Sequence, residues 1–94
     1  MQIQHEEQDG EGSFFIREND DILAEMTYYL KGENTMVIDH TEVDERLRGR
    51  NVGYELVNRG VEFARSEGLK IVPACGFARS VFDREEGFKD VLKA

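Results

Sequence analysis

The sequence of 94 residues predicts an α+β fold, an α/β layer with a mainly antiparallel, twisted sheet of about five strands. Apolar residues alternate with polar ones in the first half, and turns rich in glycine, asparagine and aspartate separate these stretches. After residue 51 the apolar spacing changes to three and four residues, which is typical of a helix. A short apolar run and a second, shorter helical pattern follow. We therefore expect one helix after the fourth strand and a short helix after the fifth, in a single domain of residues 1–94.

The first four predicted strands follow one another closely along the chain. Ile3 and His5 mark the first strand, and residues 13–17, 21–31 and 35–43 form the next three. The third has a period of two, typical of a strand with one buried face, at Ile22, Ala24, Met26, Tyr28 and Leu30. Because short turns join all four, we predict that they pair as an antiparallel meander.

The main predicted helix begins at Asn51 and ends at Gly68. Its apolar residues fall on one face, at Val52, Leu56, Val57, Gly60, Val61, Phe63 and Ala64. Glycine is common where a helix ends, because it adopts a left-handed conformation without strain. Residues 69–74 are then predicted as the fifth strand and residues 78–85 as the second helix, and residues 88–92 return to the core.

The chain is acidic, with a formal net charge of −8. This charge argues against a nucleic-acid-binding surface, which needs a basic face. No apolar stretch approaches the roughly 18 residues of a membrane-spanning helix, and the polar N-terminus is unlike a signal peptide. The lone cysteine fits the reducing cytoplasm, where we place the protein. The charge suits a cationic amine or a Lys-containing partner, although it equally fits a role in solubility alone.

Residues 43–53 connect the fourth strand to the main helix and carry three arginines, Arg46, Arg48 and Arg50. A loop rich in glycine and arginine that opens a helix is typical of an anion-binding site, because converging N–H groups and the helix dipole favour negative charge. The alternative is a solvated loop whose arginines pair with nearby acids. The spacing between the arginines and the helix start favours a bound phosphate.

Two stretches resemble motifs of the GNAT superfamily of acetyl-CoA-dependent N-acetyltransferases. The loop is similar to the R/Q-x-x-G-x-G/A pyrophosphate motif, as Arg48-Gly49-Arg50-Asn51-Val52-Gly53. A later stretch is similar to the A-x-x-L-Y-x-x-x-G-F closing motif, as Ala78-Arg79-Ser80-Val81-Phe82-Asp83-Arg84-Glu85-Glu86-Gly87-Phe88. The resemblance covers about residues 20–92. The chain is also similar to a minimal single-domain subgroup of this superfamily that has a cysteine in the site.

The resemblance implies that acetyl-CoA is the cofactor and implies no metal. The pyrophosphate would accept hydrogen bonds from the side chains of Arg48 and Arg50. It would also bind the backbone amides of Arg48, Gly49, Arg50, Asn51, Val52 and Gly53. The backbone N–H of Val43 would donate to the thioester carbonyl, and Phe82 would line the cofactor site. Asn51 replaces the motif's first glycine, and asparagine tolerates positive φ better than other non-glycine residues. Phe82 replaces a tyrosine that often protonates the leaving thiolate, and a phenylalanine has no proton to give.

Two residues are the candidate catalytic groups. His40 lies two residues from Glu42 on the fourth strand, so the two share a face, and histidine suits proton removal from an amine near neutral pH. A packed strand histidine is the alternative for His40, and a solvated rim carboxylate is favoured for Glu42. Cys75 follows the fifth strand, where the resemblance places many members' asparagine. It would protonate the leaving group, accept the acetyl group or form a mixed disulfide with the cofactor, unless it only fills space.

The leading functional hypothesis is transfer of an acetyl group from acetyl-CoA to a protein lysine or a small-molecule amine. The amine attacks directly, or the acetyl group passes by way of Cys75. A non-catalytic acyl-CoA-binding or sensing module is the second hypothesis, because the family tyrosine is missing. A small interaction domain whose arginine loop contacts an acidic protein is the third. We expect a monomer or a weak dimer.

Overall fold

The computed structural model describes residues 2–94 and contains one five-stranded sheet, in which the strands lie side by side in chain order. The first four strands pair antiparallel, and the fifth pairs parallel to the fourth. The strands are β1 (Gln4–Gln8), β2 (Glu11–Glu18), β3 (Asp21–Lys31), β4 (Thr35–Val43) and β5 (Lys70–Pro73). The predicted meander and the five-stranded, mainly antiparallel sheet are therefore confirmed.

Two helices pack on one face of this sheet. Helix α1 (Val52–Glu67) follows β4, and helix α2 (Gly76–Arg84) follows β5, as the sequence predicts. Both contribute buried side chains to one core with the inward-facing strand residues. Gly68 ends α1 in the left-handed conformation, with φ of 70°. Within residues 2–94, neither helix is long and apolar enough to cross a bilayer.

The opposite face of the sheet, here called the open face, carries mainly polar side chains. Strand register places Glu6, Ser13, Thr27 and His40 in one row across it. The next row contains Gln4, Phe15, Glu25 and Glu42. Phe15 is nevertheless only 2% exposed, and the guanidinium carbon of Arg17 lies 5.4 Å from the centre of its ring. The open face is thus acidic and polar, and its Phe15 ring is shielded.

Two bulges change which side chains face the core. The register of β2 and β3 shifts at Leu23, so Leu23 is buried and Ile22 is 43% exposed. The expectation that Ile22 is a core residue is wrong, because one extra residue reverses the alternation. A second shift, between β3 and β4, leaves Asp39 as the extra residue. The Asp39 carboxylate accepts a hydrogen bond of 2.6 Å from the Thr27 hydroxyl, so it also lies on the open face.

An aromatic cluster lies where β1 meets α1. Tyr28 is 2% exposed, and its hydroxyl donates to the Glu7 carboxylate at 2.7 Å and lies 2.6 Å from His5 Nε2. Burial and the bond to Glu7 raise the pKa of Tyr28, and burial lowers the pKa of His5. The ring of Tyr28 fits because Gly12 lacks a side chain: a Cβ there would lie 2.5 Å from the Tyr28 ring. A buried tyrosine therefore joins three strands.

Candidate functional site

Strand β4 separates from β5 halfway along its length. Residues 35–38 pair with residues 70–73 of β5, and the Ile38 carbonyl then accepts hydrogen bonds from the amides of Ala74 and Cys75, at 2.9 and 3.2 Å. Beyond that point the chain turns into α2, and within residues 2–94 the β5 side of residues 39–43 has no strand partner. The gap between residues 39–43 and residues 74–77 is called the β4–β5 cleft below.

Cys75 lies at the helix side of this cleft. Its partly buried Sγ accepts from the amide of Ala78 at 3.4 Å and caps the first turn of α2. The helix consequently begins at Gly76, two residues before the predicted start. The Thr41 hydroxyl lies 3.4 Å from the same sulfur. Thr41 pairs with Met26, a core residue, so its side chain points to the helix-covered face.

His40 and Glu42 lie on the open face at the same cleft. Their side chains are 57% and 78% exposed, and Nε2 of His40 is 3.5 Å from the Glu42 carboxylate. The geometry agrees with the expectation that two residues two apart share a face. Because Thr41 points the other way, His40 and Cys75 approach the cleft from opposite faces of the sheet. A reacting group in the cleft would therefore be reachable from both sides.

The loop before α1 begins with a short 3₁₀ turn, Glu45–Leu47. Asp44 caps this turn through the Arg46 amide and forms two further hydrogen bonds, each 3.0 Å long, with the Arg46 guanidinium. These bonds lower the pKa of Asp44 to about 2. Arg46 thus follows the alternative interpretation, an arginine paired with a nearby acid. Arg48 and Arg50 are exposed, and among residues 2–94 neither has a carboxylate within 4.0 Å.

The start of α1 presents several unused backbone donors. Gly49 and Asn51 have positive φ values of 81° and 61°, and the Asn51 side chain makes no capping hydrogen bond. The amides of Arg48 and Arg50 donate to carbonyls within the loop, at 3.1 and 3.2 Å. Across the described chain, the amides of Gly49 and of residues 51–54 have no protein acceptor, and the first helical bond joins the Glu55 amide to the Asn51 carbonyl. These five N–H groups form the amide cradle.

The remaining predicted residues occupy less accessible positions. Val43 ends β4, pairs with Ala24 and packs against the core. Phe82 is 1% exposed, and its ring centre lies 5.9 Å from that of Phe88. Val52 is buried at the start of α1, so it offers the cradle only its backbone. The roles of these residues toward a cofactor stay predictions.

Two residues of the cleft have no role that the sequence predicted. Thr41 stands between His40 and Glu42, and strand alternation alone assigns it to the other face. Phe77 was missed because the second helix was predicted to begin after it. Its ring rests on α1, since a Cβ on Gly53 would lie 2.5 Å from Phe77 Cζ. Phe77 therefore connects the amide cradle to the segment that carries Cys75.

Known proteins resemble this chain in sequence and in fold. The family model described as GCN5-related N-acetyl-transferase matches residues 13–91. The solution structure of a GCN5-like candidate N-acetyltransferase from Staphylococcus aureus is 34% identical, with a TM-score of 0.73. That match covers 97% of this chain and 88% of the other. A search among curated proteins gave no match.

More distant structures share the fold. A ribosomal-protein-alanine N-acetyltransferase from Brucella melitensis is 15% identical, with a TM-score of 0.64 over 93% of this chain. Tetrahymena GCN5 is also 15% identical, with a TM-score of 0.62 over 82% of this chain. The matches span 64% and 51% of those proteins, respectively. On the strength of the family match over residues 13–91, the chain belongs to the GCN5-related N-acetyltransferase family.

Proposed function

We propose that this protein transfers an acetyl group from acetyl-CoA to an amine. The observation that carries the proposal is the contact of Phe77, two residues after Cys75, with Gly53 of the amide cradle. A chain attached to an anion in the cradle would follow a path past this contact toward Cys75. A cofactor with a charged end and a reactive far end suits this path.

The cradle fits the pyrophosphate of coenzyme A in its chemistry. Five free N–H groups at the start of a 16-residue helix supply donors, and the helix dipole favours the negative charge. The unpaired guanidinium groups of Arg48 and Arg50 add charge-assisted hydrogen bonds. Acetyl-CoA would supply an acetyl group activated as a thioester. The backbone N–H of Val43 is the proposed donor to the thioester carbonyl, where negative charge develops.

The acceptor amine would approach from the open face. Asp39, Glu25 and Glu42 surround His40 there, and their negative charge would attract a protonated amine such as a lysine side chain. An amine must lose a proton before it attacks, and His40 is placed to accept it directly or through a water. Lysine-containing proteins and small amines both fit this surface.

Two chemical routes remain for the acetyl group. In the direct route, the amine nitrogen bonds to the acetyl carbon, the carbon–sulfur bond breaks, and the coenzyme A thiolate takes a proton. In the route through Cys75, its sulfur first accepts the acetyl group and releases coenzyme A as the thiol. The amine then takes the acetyl group from Cys75, and the cysteine thiol reforms. The position of Sγ beside Thr41, at the cleft, supports the second route.

We expect isothermal titration to show binding of acetyl-CoA. If the acetyl group passes by way of Cys75, intact-mass spectrometry should show a gain of one acetyl group that Cys75→Ala lacks. Turnover on a panel of amines should fall by at least about a hundred-fold in Cys75→Ala and in His40→Ala, the lower range for a lost acid–base group. Glu67→Ala, an exposed change at the far end of α1, serves as the control. Absence of binding at millimolar acetyl-CoA would refute the proposal.

A non-catalytic acyl-CoA-binding module is the second candidate function. Phe82 favours it, because this buried ring has no proton for a leaving thiolate. That candidate predicts tight binding of coenzyme A with no acetylation of any amine or of Cys75. For the active enzyme we further propose a cytoplasmic location, which keeps the Cys75 thiol reduced, and a monomer or weak dimer.

A further inference from the structure

Phe77 is an exposed aromatic residue in an unusual place. It is 40% exposed, and the other large apolar side chains with comparable exposure, Ile22 at 43% and Tyr29 at 40%, lie on the sheet. Phe77 instead lies in the first turn of α2, two residues after Cys75. A phenylalanine ring gains stability from burial, so its exposed part is available to an apolar ligand.

The ring of Phe77 lies against the backbone of Gly53. Three ring atoms, Cζ, Cε2 and Cε1, lie 2.5, 2.8 and 3.3 Å from the position that a Cβ on Gly53 would occupy. Gly53 is the second residue of α1, and its amide belongs to the amide cradle. The ring therefore joins the amide cradle to the turn of α2 that follows Cys75. The missing side chain of Gly53 makes room for this ring.

We propose that Phe77 is a positioning residue that packs against the pantetheine arm of coenzyme A and directs its sulfur toward Cys75. The inference rests on the proposed function, because it requires coenzyme A in the cradle. A ligand that joined the cradle to Cys75 would lie beside this ring, because Phe77 contacts Gly53 and is two residues from Cys75. The pantetheine arm carries methyl and methylene groups, whose burial against an aromatic surface stabilises the complex.

Binding of two ligands separates this role from a structural one. Coenzyme A has the arm, whereas 3′-phosphoadenosine 5′-diphosphate has the same phosphates without it. We expect Phe77→Ala to weaken coenzyme A binding about ten-fold, or about 1.4 kcal/mol, in isothermal titration. Its affinity for 3′-phosphoadenosine 5′-diphosphate should stay that of the unmodified protein. Phe77→Leu should restore most of the affinity, because it keeps an apolar side chain.

Ile22→Ala is the matched control, because it removes an equally exposed apolar side chain from the sheet. It should leave both affinities unchanged. Equal weakening of both ligands in Phe77→Ala and Phe77→Leu would overturn the inference, since Phe77 would then only shape the cradle. Unchanged or tighter coenzyme A binding by Phe77→Ala would also overturn it. If the unmodified protein bound 3′-phosphoadenosine 5′-diphosphate but not coenzyme A, the site would not accept the pantetheine arm. That result would refute both the inference and the proposed function.

Discussion

The two halves of β4 differ in almost every physical respect. Residues 35–38 are buried and pair with a strand on each side, whereas residues 39–43 pair on one side and are mostly exposed. The extra residue Asp39 marks the boundary between them. A single strand thus begins as part of the core and ends as one wall of the cleft. Residues 35–38 therefore stabilise the fold, whereas residues 39–43 are accessible to a ligand.

Hydrogen bonding shows the same division. Within residues 2–94, every buried side-chain nitrogen or oxygen has a hydrogen-bond partner. Backbone amides at the start of α1, beyond the exposed end of β4, have no protein acceptor, as is usual at the start of a helix. A protein interior rarely leaves polar groups unpaired, because each one costs desolvation free energy. The exposed end of β4 therefore offers free donors to a ligand, whereas the described buried side chains offer none.

The largest expected effect contrasts one residue from each half of β4. Ile38 is fully buried, so Ile38→Ala should lower the free energy of unfolding by about 2–5 kcal/mol, through lost contacts and a cavity. His40 is exposed, so His40→Ala should change it by no more than about 0.5 kcal/mol. Urea denaturation measures both. Equal destabilisation by the two variants would show that the halves share one structural role.

The second expected effect concerns charge at the amide cradle. The double variant Arg48→Ala, Arg50→Ala should weaken coenzyme A binding by about ten- to a hundred-fold, or about 1.4–2.8 kcal/mol, because two charge-assisted contacts are lost. The loss should shrink at high ionic strength, since salt screens exposed charges. Isothermal titration at two salt concentrations measures it.

Lys31→Ala is the control for that measurement, because it removes one positive charge at the opposite end of the sheet. It should leave the affinity for coenzyme A unchanged. If it weakened binding as much as the double variant, net charge and not the cradle would govern affinity. If the double variant kept full affinity, the amides alone would hold the phosphates.

The sequence predicted the strands and helices because their apolar periods are regular. It did not predict the two bulges, since a bulge depends on how two strands align and not on either strand alone. The error at Ile22 follows directly from the bulge at Leu23. The bulge at Asp39 likewise brings a third polar side chain beside His40 and Glu42.

The candidate site was predictable where it follows from local sequence. Asn51 was expected to tolerate positive φ, and its φ is 61°. The start of α2 was predicted two residues late, because a cysteine is not among the usual capping residues. The contact of Phe77 with Gly53 joins two helices that are separate in sequence, so no local pattern indicates it.

The smallest expected effect tests whether the stabilising contacts of residues 35–38 in β4 continue across the sheet to His5. Tyr28 pairs with Ile38, and its hydroxyl contacts His5. Burial lowers the pKa of His5 below its ordinary value of 6.5, so the unfolded chain binds a proton more readily than the folded one. The contribution of neutral His5 to the free energy of unfolding is therefore complete above pH 6.5. It is lost as the pH falls through the lowered pKa of His5.

We expect the melting temperature to fall as the pH is lowered from 7.5 to 5, and this fall to be smaller in His5→Gln. The matched control is His40→Gln, which removes an exposed histidine from the other half of β4 and should keep the full pH dependence. Thermal unfolding followed by circular dichroism at several pH values compares the three proteins. A pH dependence reduced in His40→Gln and intact in His5→Gln would place the titrating group in the cleft, and the proposed division along β4 would be wrong. A reduction in His5→Gln alone would instead show that the stabilising contacts of residues 35–38 continue from Ile38 through Tyr28 to His5 in the edge strand β1.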